Sequence, residues 1–324
     1  MYKDLNVLVA GGTGTIGVPT VKILLDRGAK VSVVSLDSKH KFEKIFKKDS
    51  ERITFQNLDL TDLESCHTAV KNKDVVINLV GIKGNTGIGQ TKVASFFIPM
   101  LRFQTNLMEA AYKNNVFRYL FTSSICAYPQ GELHFEDSVW DGFPKQNDRI
   151  PGIAKRVGEL LGEAFELEFG WDAVRVIRPA NVYGPFDDFN PITGQVIPAL
   201  IAKAINATDS IEVWGDGKAI RDFVFSEDIA FWALEALEKA PPNFPLNFGS
   251  GGGFSIKALA ELIISLINPE CEIVWNKNAQ TGDPIRLLSI DRARDTIGYL
   301  PKTSLSDGII KTILWYKNEL ENDR

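Results

Sequence analysis

Short apolar runs alternate with amphipathic stretches along the first half of the chain. Six strand-length segments are rich in Val, Ile, Leu and Phe, and they span residues 6–11, 30–35, 52–60, 74–81, 118–124 and 172–179. Helical patterns lie at 18–28, near 98–114 and from about 152 to 169. Strands of nearly continuous apolar sequence joined by helices are typical of a parallel sheet covered on both faces. The pattern therefore predicts a doubly wound α/β fold.

The character of the sequence changes near residue 180. Beyond it, loops and the residues Pro, Gly and Trp become more frequent, and no linker rich in Pro or Ser marks a boundary. We expect a first domain at 1–180 and a smaller substrate-binding domain at 181–324 that is partly interleaved with the first.

A glycine-rich turn joins the first strand to the first helix. Gly11, Gly14 and Gly17 in AGGTGTIG follow the spacing G-x-x-G-x-x-G. Glycine lets the backbone turn tightly and approach a pyrophosphate, and the helix N-terminus then supplies free N–H groups and a positive dipole. The strand and helix on either side give the context that the motif requires. The turn, with Thr15 and Ile16, is therefore predicted to bind a dinucleotide.

The end of the second strand bears on the choice between NAD and NADP. An acid there binds the adenosine ribose of NAD, whereas NADP needs a cation for its 2′-phosphate. Ser35 ends the strand and Asp37 follows it closely, while Lys39, His40 and Lys41 could pair with a phosphate. Asp37 would repel that phosphate, and no arginine is present. We favour NAD narrowly and keep NADP as the alternative.

Charge and composition exclude several other classes of protein. The chain has 324 residues, with 36 basic against 41 acidic side chains and a net charge of -5, so no nucleic-acid or membrane partner is expected. No apolar run reaches the ~18 residues of a membrane span, and no signal peptide is recognised. Three scattered cysteines and three histidines suit neither a disulfide framework nor a metal site. We expect a cytoplasmic protein without a metal.

Several motifs follow one another in the order of a known family. They are GGTGTIG, NLDLTD, VVINLVGIKG, FTSSICAYP, AKRVGE, IRPANVYGP and WGDGKAIRDFVFSEDIA. Together they resemble the extended short-chain dehydrogenase/reductase superfamily of NAD-dependent epimerases and dehydratases. NVYGPFDDFNP followed by VIPALIAKA is most similar to the GDP-fucose synthase branch of nucleotide-sugar reductases.

The resemblance implies a Rossmann cofactor domain and a C-terminal nucleotide-sugar domain. It implies hydride transfer at a sugar carbon, commonly carbon 4, and a homodimer that pairs the helices near 100–114 and 152–169. The remaining expected cofactor contacts are Asp59, Leu60, Leu79, Val80, Gly81, Lys155 and Pro179.

The family's catalytic residues are matched unevenly. Ser124, four residues before Tyr128, matches the residue that holds the sugar oxygen, and Lys155 matches the lysine that holds the nicotinamide ribose. The position of the catalytic tyrosine, four residues before that lysine, is Pro151, which offers no acid or base. General acid–base help of this kind is worth roughly 10²–10⁴-fold, so its loss slows hydride transfer without abolishing it. The open replacements are Cys126, Tyr128, Glu132, His134, Asp148 and a lysine-activated water.

Two further positions bear on the type of reaction. Cys126 matches the cysteine of the family's epimerising pair, but the histidine of that pair is replaced by Gln195, which exchanges no protons at neutral pH. Cys126 is therefore either a catalytic residue or a small buried side chain. A dehydratase needs an acid directly after Ser124, where Ile125 stands. Simple oxidation or reduction at one carbon fits the surviving residues better.

The substrate side is better preserved. Arg221 in AIRDF is the strongest candidate for binding a diphosphate, because a guanidinium pairs with phosphate through two parallel hydrogen bonds. The other candidate substrate residues are Lys83, Ser124, Asn181, Lys203 and Arg286.

The resemblance, together with these residues, implies a nucleotide-sugar oxidoreductase. Its expected substrate is a GDP-linked hexose or heptose handled at carbon 4, by a 4-keto reductase or a 4-dehydrogenase, for surface polysaccharide synthesis. A nucleotide-sugar epimerase or dehydratase is one alternative. Because of Pro151, a non-catalytic cofactor-binding regulator is another.

Overall fold

Seven parallel strands form the central sheet. The computed structural model describes residues 1–82, 93–279 and 282–322. The described strands are β1 Asn6–Ala10, β2 Lys30–Ser35, β3 Ile53–Asn57, β4 Val75–Asn78, β5 Arg118–Thr122, β6 Leu133–His134, β7 Val174–Pro179, β8 Asn181–Tyr183, β9 Ser210–Trp214, β10 Ile220–Arg221, β11 Phe223–Phe225, β12 Leu246–Phe248, β13 Phe254–Ser255, β14 Glu272–Asn276 and β15 Ile285–Leu288. The central sheet has the order β12-β7-β5-β4-β1-β2-β3. This order confirms the predicted doubly wound parallel sheet.

Helices connect the strands and cover the sheet. Their bounds are α1 Gly17–Asp26, α2 Lys39–Phe46, α3 Leu63–Val70, α4 Val93–Lys113, α5 Arg149–Phe169, α6 Val196–Asn206, α7 Ser226–Lys239, α8 Ile256–Ile267, α9 Asp291–Ile297 and α10 Leu305–Asn322. Two buried clusters lie against the central sheet, and each joins strand residues to helix residues. None of the described helices is long and apolar enough to cross a membrane.

Helix α5 begins three residues earlier than its sequence pattern predicted. The prediction began at residue 152, whereas the helix starts at Arg149 and has Pro151 as its third residue. The first four N–H groups of a helix have no partner within it, so a proline in this turn loses no hydrogen bond. Pro151 is therefore part of the first turn rather than a break before it.

The second half of the chain contributes to two regions. Strand β12 and the helices α7 and α9 pack into the core of the central sheet. Helices α6, α8 and α10 and strand β9 form a separate apolar cluster. A smaller sheet of order β13-β10-β15-β6 carries residues from both halves. The division into domains at residue 180 stays a prediction. The homodimer also stays a prediction, and α5 exposes Leu160, Leu167 and Phe169, which are apolar side chains that a partner could cover.

Helix α5 lies unusually close to strand β5 and the turn that follows it. A Cβ at Gly158 would come within 2.1 Å of Phe121 Cζ, and one at Gly152 within 2.3 Å of the Cys126 carbonyl oxygen. Only glycine allows backbone and ring to approach so closely. This contact sets the position of every α5 side chain relative to the end of β5.

We expect Gly158→Ala to destabilise the protein by roughly 1–3 kcal/mol, because the methyl group would overlap the Phe121 ring in a packed core. In an exposed helix the same change would be stabilising. The measurement is the free energy of unfolding in urea. Gly252→Ala is the matched control, since its Cβ would meet no atom within 4 Å. Equal stabilities of the two variants would contradict the close packing.

Candidate active site

The glycine-rich turn is built so that no other residue fits its critical positions. Gly11 has a φ of +79°, and a Cβ at Gly17 would lie 2.2 Å from the Gly11 carbonyl oxygen. The first turn of α1 therefore lies directly against the end of β1, where its free N–H groups can receive an anion. Ile16 immediately precedes the helix, and the Thr15 hydroxyl donates to the Phe186 carbonyl at 3.2 Å. This cradle, formed by Gly11, Gly14 and Gly17, is the feature that fits a dinucleotide.

A hydrogen-bonded carboxylate stands at the end of β2. Asp37 accepts from the Thr13 hydroxyl at 2.7 Å and from the Lys41 ammonium at 2.8 Å, and its backbone N–H donates to the Ser35 hydroxyl. Burial alone would raise the pKa of Asp37, but the bonds from Lys41, Thr13 and Ser35 lower it below its usual value. Asp37 is therefore held as a charged acceptor close to the glycine turn. Thr13, which lies inside that turn, was missed in the sequence.

The other predicted cofactor residues stand at or just beyond the ends of strands. Because parallel strands share one carboxyl edge, this arrangement places them on the same side of the sheet as the glycine turn. Asp59 is exposed and Leu60 is buried beyond β3, Leu79, Val80 and Gly81 follow β4, and Pro179 ends β7. Lys83 lies outside the described residues.

Lys155 is buried beside the end of β5. Its ammonium donates to the Thr122 carbonyl at 2.8 Å and lies 5.5 Å from the centre of the Phe121 ring. Burial lowers the pKa of Lys155 to about 8. Ser124 follows two residues after Thr122, and its hydroxyl accepts from the Cys126 N–H at 3.2 Å. The structure thus brings together the lysine and serine that are 31 positions apart in the chain.

Two of the candidate proton donors predicted from the sequence, Tyr128 and His134, are engaged elsewhere. Tyr128 is completely buried, donates to Asn247 at 2.6 Å and accepts from Arg178 at 2.9 Å, and burial raises its pKa to about 12. His134 stacks on Tyr128, and burial lowers its pKa to about 4, so the ring is neutral at pH 7. Both residues belong to a buried structural network.

Cys126 differs from these residues because it adjoins the lysine and the serine. Burial raises the pKa of the Cys126 thiol, and the charge of Asp148 adds to this effect. Arg286, a hydrogen bond from the Ser124 side chain and the charge of Lys155 act in the opposite direction. The net result is a raised pKa, which keeps the thiol protonated at neutral pH. Such a group can donate a proton.

Two arginines from distant parts of the sequence stand side by side. Arg221 on β10 pairs in register with Arg286 on β15. The guanidinium of half-buried Arg221 donates to the adjacent Ile220 carbonyl at 2.8 Å. Arg286 is buried and forms an ion pair with Asp148. Sequence spacing gave no sign of this pairing, because strand neighbours so far apart are chosen by the tertiary fold.

The remaining substrate candidates occupy different surroundings. Asn181 donates through its side-chain amide to the Asp222 carbonyl at 2.8 Å, which places it directly beside the strand that carries Arg221. The Lys203 ammonium donates to the Glu212 carbonyl at 2.9 Å, within the contact between α6 and β9. Lys145 and Asp283, which form a 2.9 Å ion pair close to Arg221, were missed in the sequence. Within the described ranges, no group of side chains could hold a metal ion.

Comparison with known proteins agrees with this arrangement. The model of the NAD dependent epimerase/dehydratase family matches residues 7–249, which is most of the chain. The protein belongs to this family. Its relatives include a protein of Arabidopsis thaliana named putative GDP-L-fucose synthase 2. The two sequences are 31% identical over 332 residues, which cover 99% of this chain and 94% of the Arabidopsis protein. The predicted resemblance is thereby confirmed.

Solved structures share the same fold. The epimerase Mth375 of Methanothermobacter thermautotrophicus has a TM-score of 0.86 at 24% identity, covering 99% of this chain and 94% of its own. A GDP-L-fucose synthetase from Naegleria fowleri, bound to NADP, has a TM-score of 0.84 at 22% identity, covering 99% and 96%. At these identities the likeness concerns the fold alone.

The buried lysine predicts a pH-dependent effect on stability. Unfolded lysine titrates near 10.5, whereas folded Lys155 titrates near 8, so the unfolded state binds more protons between these values. The cost of burying the charge is therefore complete below pH 8 and is relieved as the pH rises to 10.5. Lys155→Met should stabilise the protein by roughly 1–3 kcal/mol at pH 7, and this gain should shrink towards pH 10.5.

The free energy of unfolding at pH 7, 9 and 10.5 measures this difference. Lys218→Met is the control, because the Lys218 side chain is 87% exposed and its removal takes no charge out of the protein interior. A Lys155→Met difference that stays constant with pH would show that the lysine keeps its ordinary pKa.

Proposed function

We propose that this protein is a nucleotide-sugar oxidoreductase that transfers hydride between NAD(P) and carbon 4 of a GDP-linked hexose or heptose. The observation that carries the proposal is the buried ammonium of Lys155 beside Ser124, at the sheet edge where the glycine turn also lies. The GDP-linked class is supported by the relatives named GDP-L-fucose synthase. The paired strands that carry Arg221 and Arg286 supply positive charge for an anionic substrate.

A dinucleotide fits the cradle formed by Gly11, Gly14 and Gly17, and when bound it would supply or accept the hydride. Asp37 would accept hydrogen bonds from the adenosine ribose hydroxyls, which favours NAD. A 2′-phosphate at the same place would meet this negative charge, although Lys41 lies beside it. Lys155 would hold the nicotinamide ribose.

The chain's own residues provide the proton chemistry. In the direction of ketone reduction, the Ser124 hydroxyl donates a hydrogen bond to the sugar oxygen and stabilises the charge that develops there. The Cys126 thiol gives its proton to that oxygen, and the Lys155 ammonium returns a proton to the resulting thiolate. In the direction of oxidation the same protons move the opposite way. Positioning of the bound substrate supplies the rest of the rate.

One observation favours a different class of function. Pro151 removes the usual acid, and a protein that only binds a dinucleotide would tolerate this loss. Such a regulator would have no need of a serine, a thiol and a buried lysine that adjoin one another. We therefore place hydride transfer first.

The function is tested by mixing the protein with NADH or NADPH and a GDP-4-keto-sugar, and by mixing it with the oxidised cofactors and a GDP-sugar, while absorbance near 340 nm is followed. We expect nucleotide-sugar-dependent change of the cofactor band. Ser124→Ala and Cys126→Ser should each lower kcat by roughly 10²-fold or more. Cofactor that binds but never changes with any nucleotide sugar would favour the regulator.

Cofactor preference gives a second test at the end of β2. The wild-type protein should have the higher kcat/KM with NADH, and Asp37→Ala should lower that value by roughly ten-fold, because a charge-assisted hydrogen bond to the ribose is lost. The same change should improve use of NADPH, since Lys41 is then free to meet the phosphate. Glu51→Ala, which removes an exposed acid elsewhere on the protein, is the control. A wild-type preference for NADPH that Asp37→Ala leaves unaltered would refute the assignment.

A further inference from the structure

We propose that Arg286 is a positioning residue that joins the turn carrying Ser124 and Cys126 to the helix carrying Lys155, and that it is not a ligand of the substrate diphosphate. The proposal rests on the proposed function and replaces the role expected for this arginine from its sequence motif.

The contacts of Arg286 link two separate parts of the first half of the chain. Its Nη2 donates to the Ile125 carbonyl at 2.8 Å, and Ile125 lies between Ser124 and Cys126. Its Nη1 pairs with the Asp148 carboxylate, and Asp148 immediately precedes helix α5. A single guanidinium on β15 therefore fixes the distance between the turn after β5 and the start of the helix.

The neighbouring arginine shows the contrast. Arg221 is in register with Arg286 but is half-buried, and its bond is to the carbonyl of the residue before it. Its remaining N–H groups can turn towards a ligand without breaking a link between elements. Arg286 is 8% exposed, and turning its guanidinium towards a phosphate would break its bonds to the Ile125 carbonyl and the Asp148 carboxylate. The two arginines therefore have different roles.

The same ion pair also acts on the thiol. After burial, which raises the pKa of Cys126, the two largest influences are Asp148, which raises it further, and Arg286, which lowers it. Ser124 and Lys155 are the next largest influences on this sulfur, and both lower its pKa. Removing one partner of the pair should thus have the opposite effect to removing the other. A purely structural contact would not produce this difference in sign.

Steady-state kinetics separates positioning from substrate binding. Arg286→Met should lower kcat by roughly 10–100-fold, because misplaced reacting groups lose rate, while the KM for the nucleotide sugar changes less than about two-fold. Arg286→Lys should recover part of kcat. Arg221→Met should instead raise that KM by about ten-fold or more, and Arg294→Met, which removes an exposed arginine, should change neither value. An Arg286→Met variant with raised KM and unchanged kcat would overturn the proposal.

Alkylation of Cys126 by iodoacetamide gives a readout that needs no substrate. The thiol is only partly buried, whereas Cys66 and Cys271 are buried, and Cys126→Ser defines the background rate. At a fixed pH near 8, Arg286→Gln should slow the reaction several-fold and Asp148→Asn should accelerate it, because the thiolate is the reactive form. Faster reaction in both variants would indicate a loosened turn and would overturn the proposal.

The two measurements also distinguish this proposal from the function on which it rests. If the wild-type protein turns over no nucleotide sugar, the proposed function fails. The opposed alkylation rates would still establish that Arg286 and Asp148 act on the thiol. Because Asp148→Asn leaves Arg286 in place, it remains usable should an Arg286 variant fail to fold.

Discussion

The candidate site depends on how closely helix α5 lies against strand β5. Glycines at 152 and 158 let the helix backbone approach the Cys126 carbonyl and the Phe121 ring, at distances that no side chain would allow. Lys155 lies on the same side of the helix, so this approach buries its ammonium against the Thr122 carbonyl. The low pKa of the lysine and its proximity to Ser124 follow from the same packing. Any change that moves the helix away from the strand would alter both.

Much of the fold could be predicted because it depends on local pattern. Strand β2 spans the residues predicted for it, and the turn at Gly11 to Gly17 is recognisable because glycine is required where a Cβ would strike the backbone. The predicted start of α5 was about three residues too late. The local sequence does not distinguish a proline in the first turn of a helix from a proline just before the helix. Local pattern thus identifies an element more reliably than its first residue.

The site could be predicted only in part. Ser124 and Lys155 lie in recognisable motifs. Their proximity at the end of β5 could therefore be predicted from the fold expected for those motifs. The pairing of β10 with β15, which sets Arg221 beside Arg286, depends on strands more than sixty positions apart. Whether a guanidinium is buried also depends on the tertiary fold and not on the local sequence. For that reason the sequence suggested the same role for both arginines, whereas the structure shows one half-buried and the other tied to Asp148 and Ile125.

The proposed role of Cys126 explains why such a tie matters in this protein. A tyrosine and a lysine four residues apart share one helix face, and the helix itself fixes the distance between them. Here the proposed proton donor, Cys126, is on a turn and Lys155 is on a helix, so no single element holds them in register. Tertiary contacts must do so. Gly152 brings the two backbones together, and Arg286 spans them from a third element. With the proposed acid on the turn instead of on the helix, its alignment with Lys155 depends on a buried ion pair and not on secondary structure.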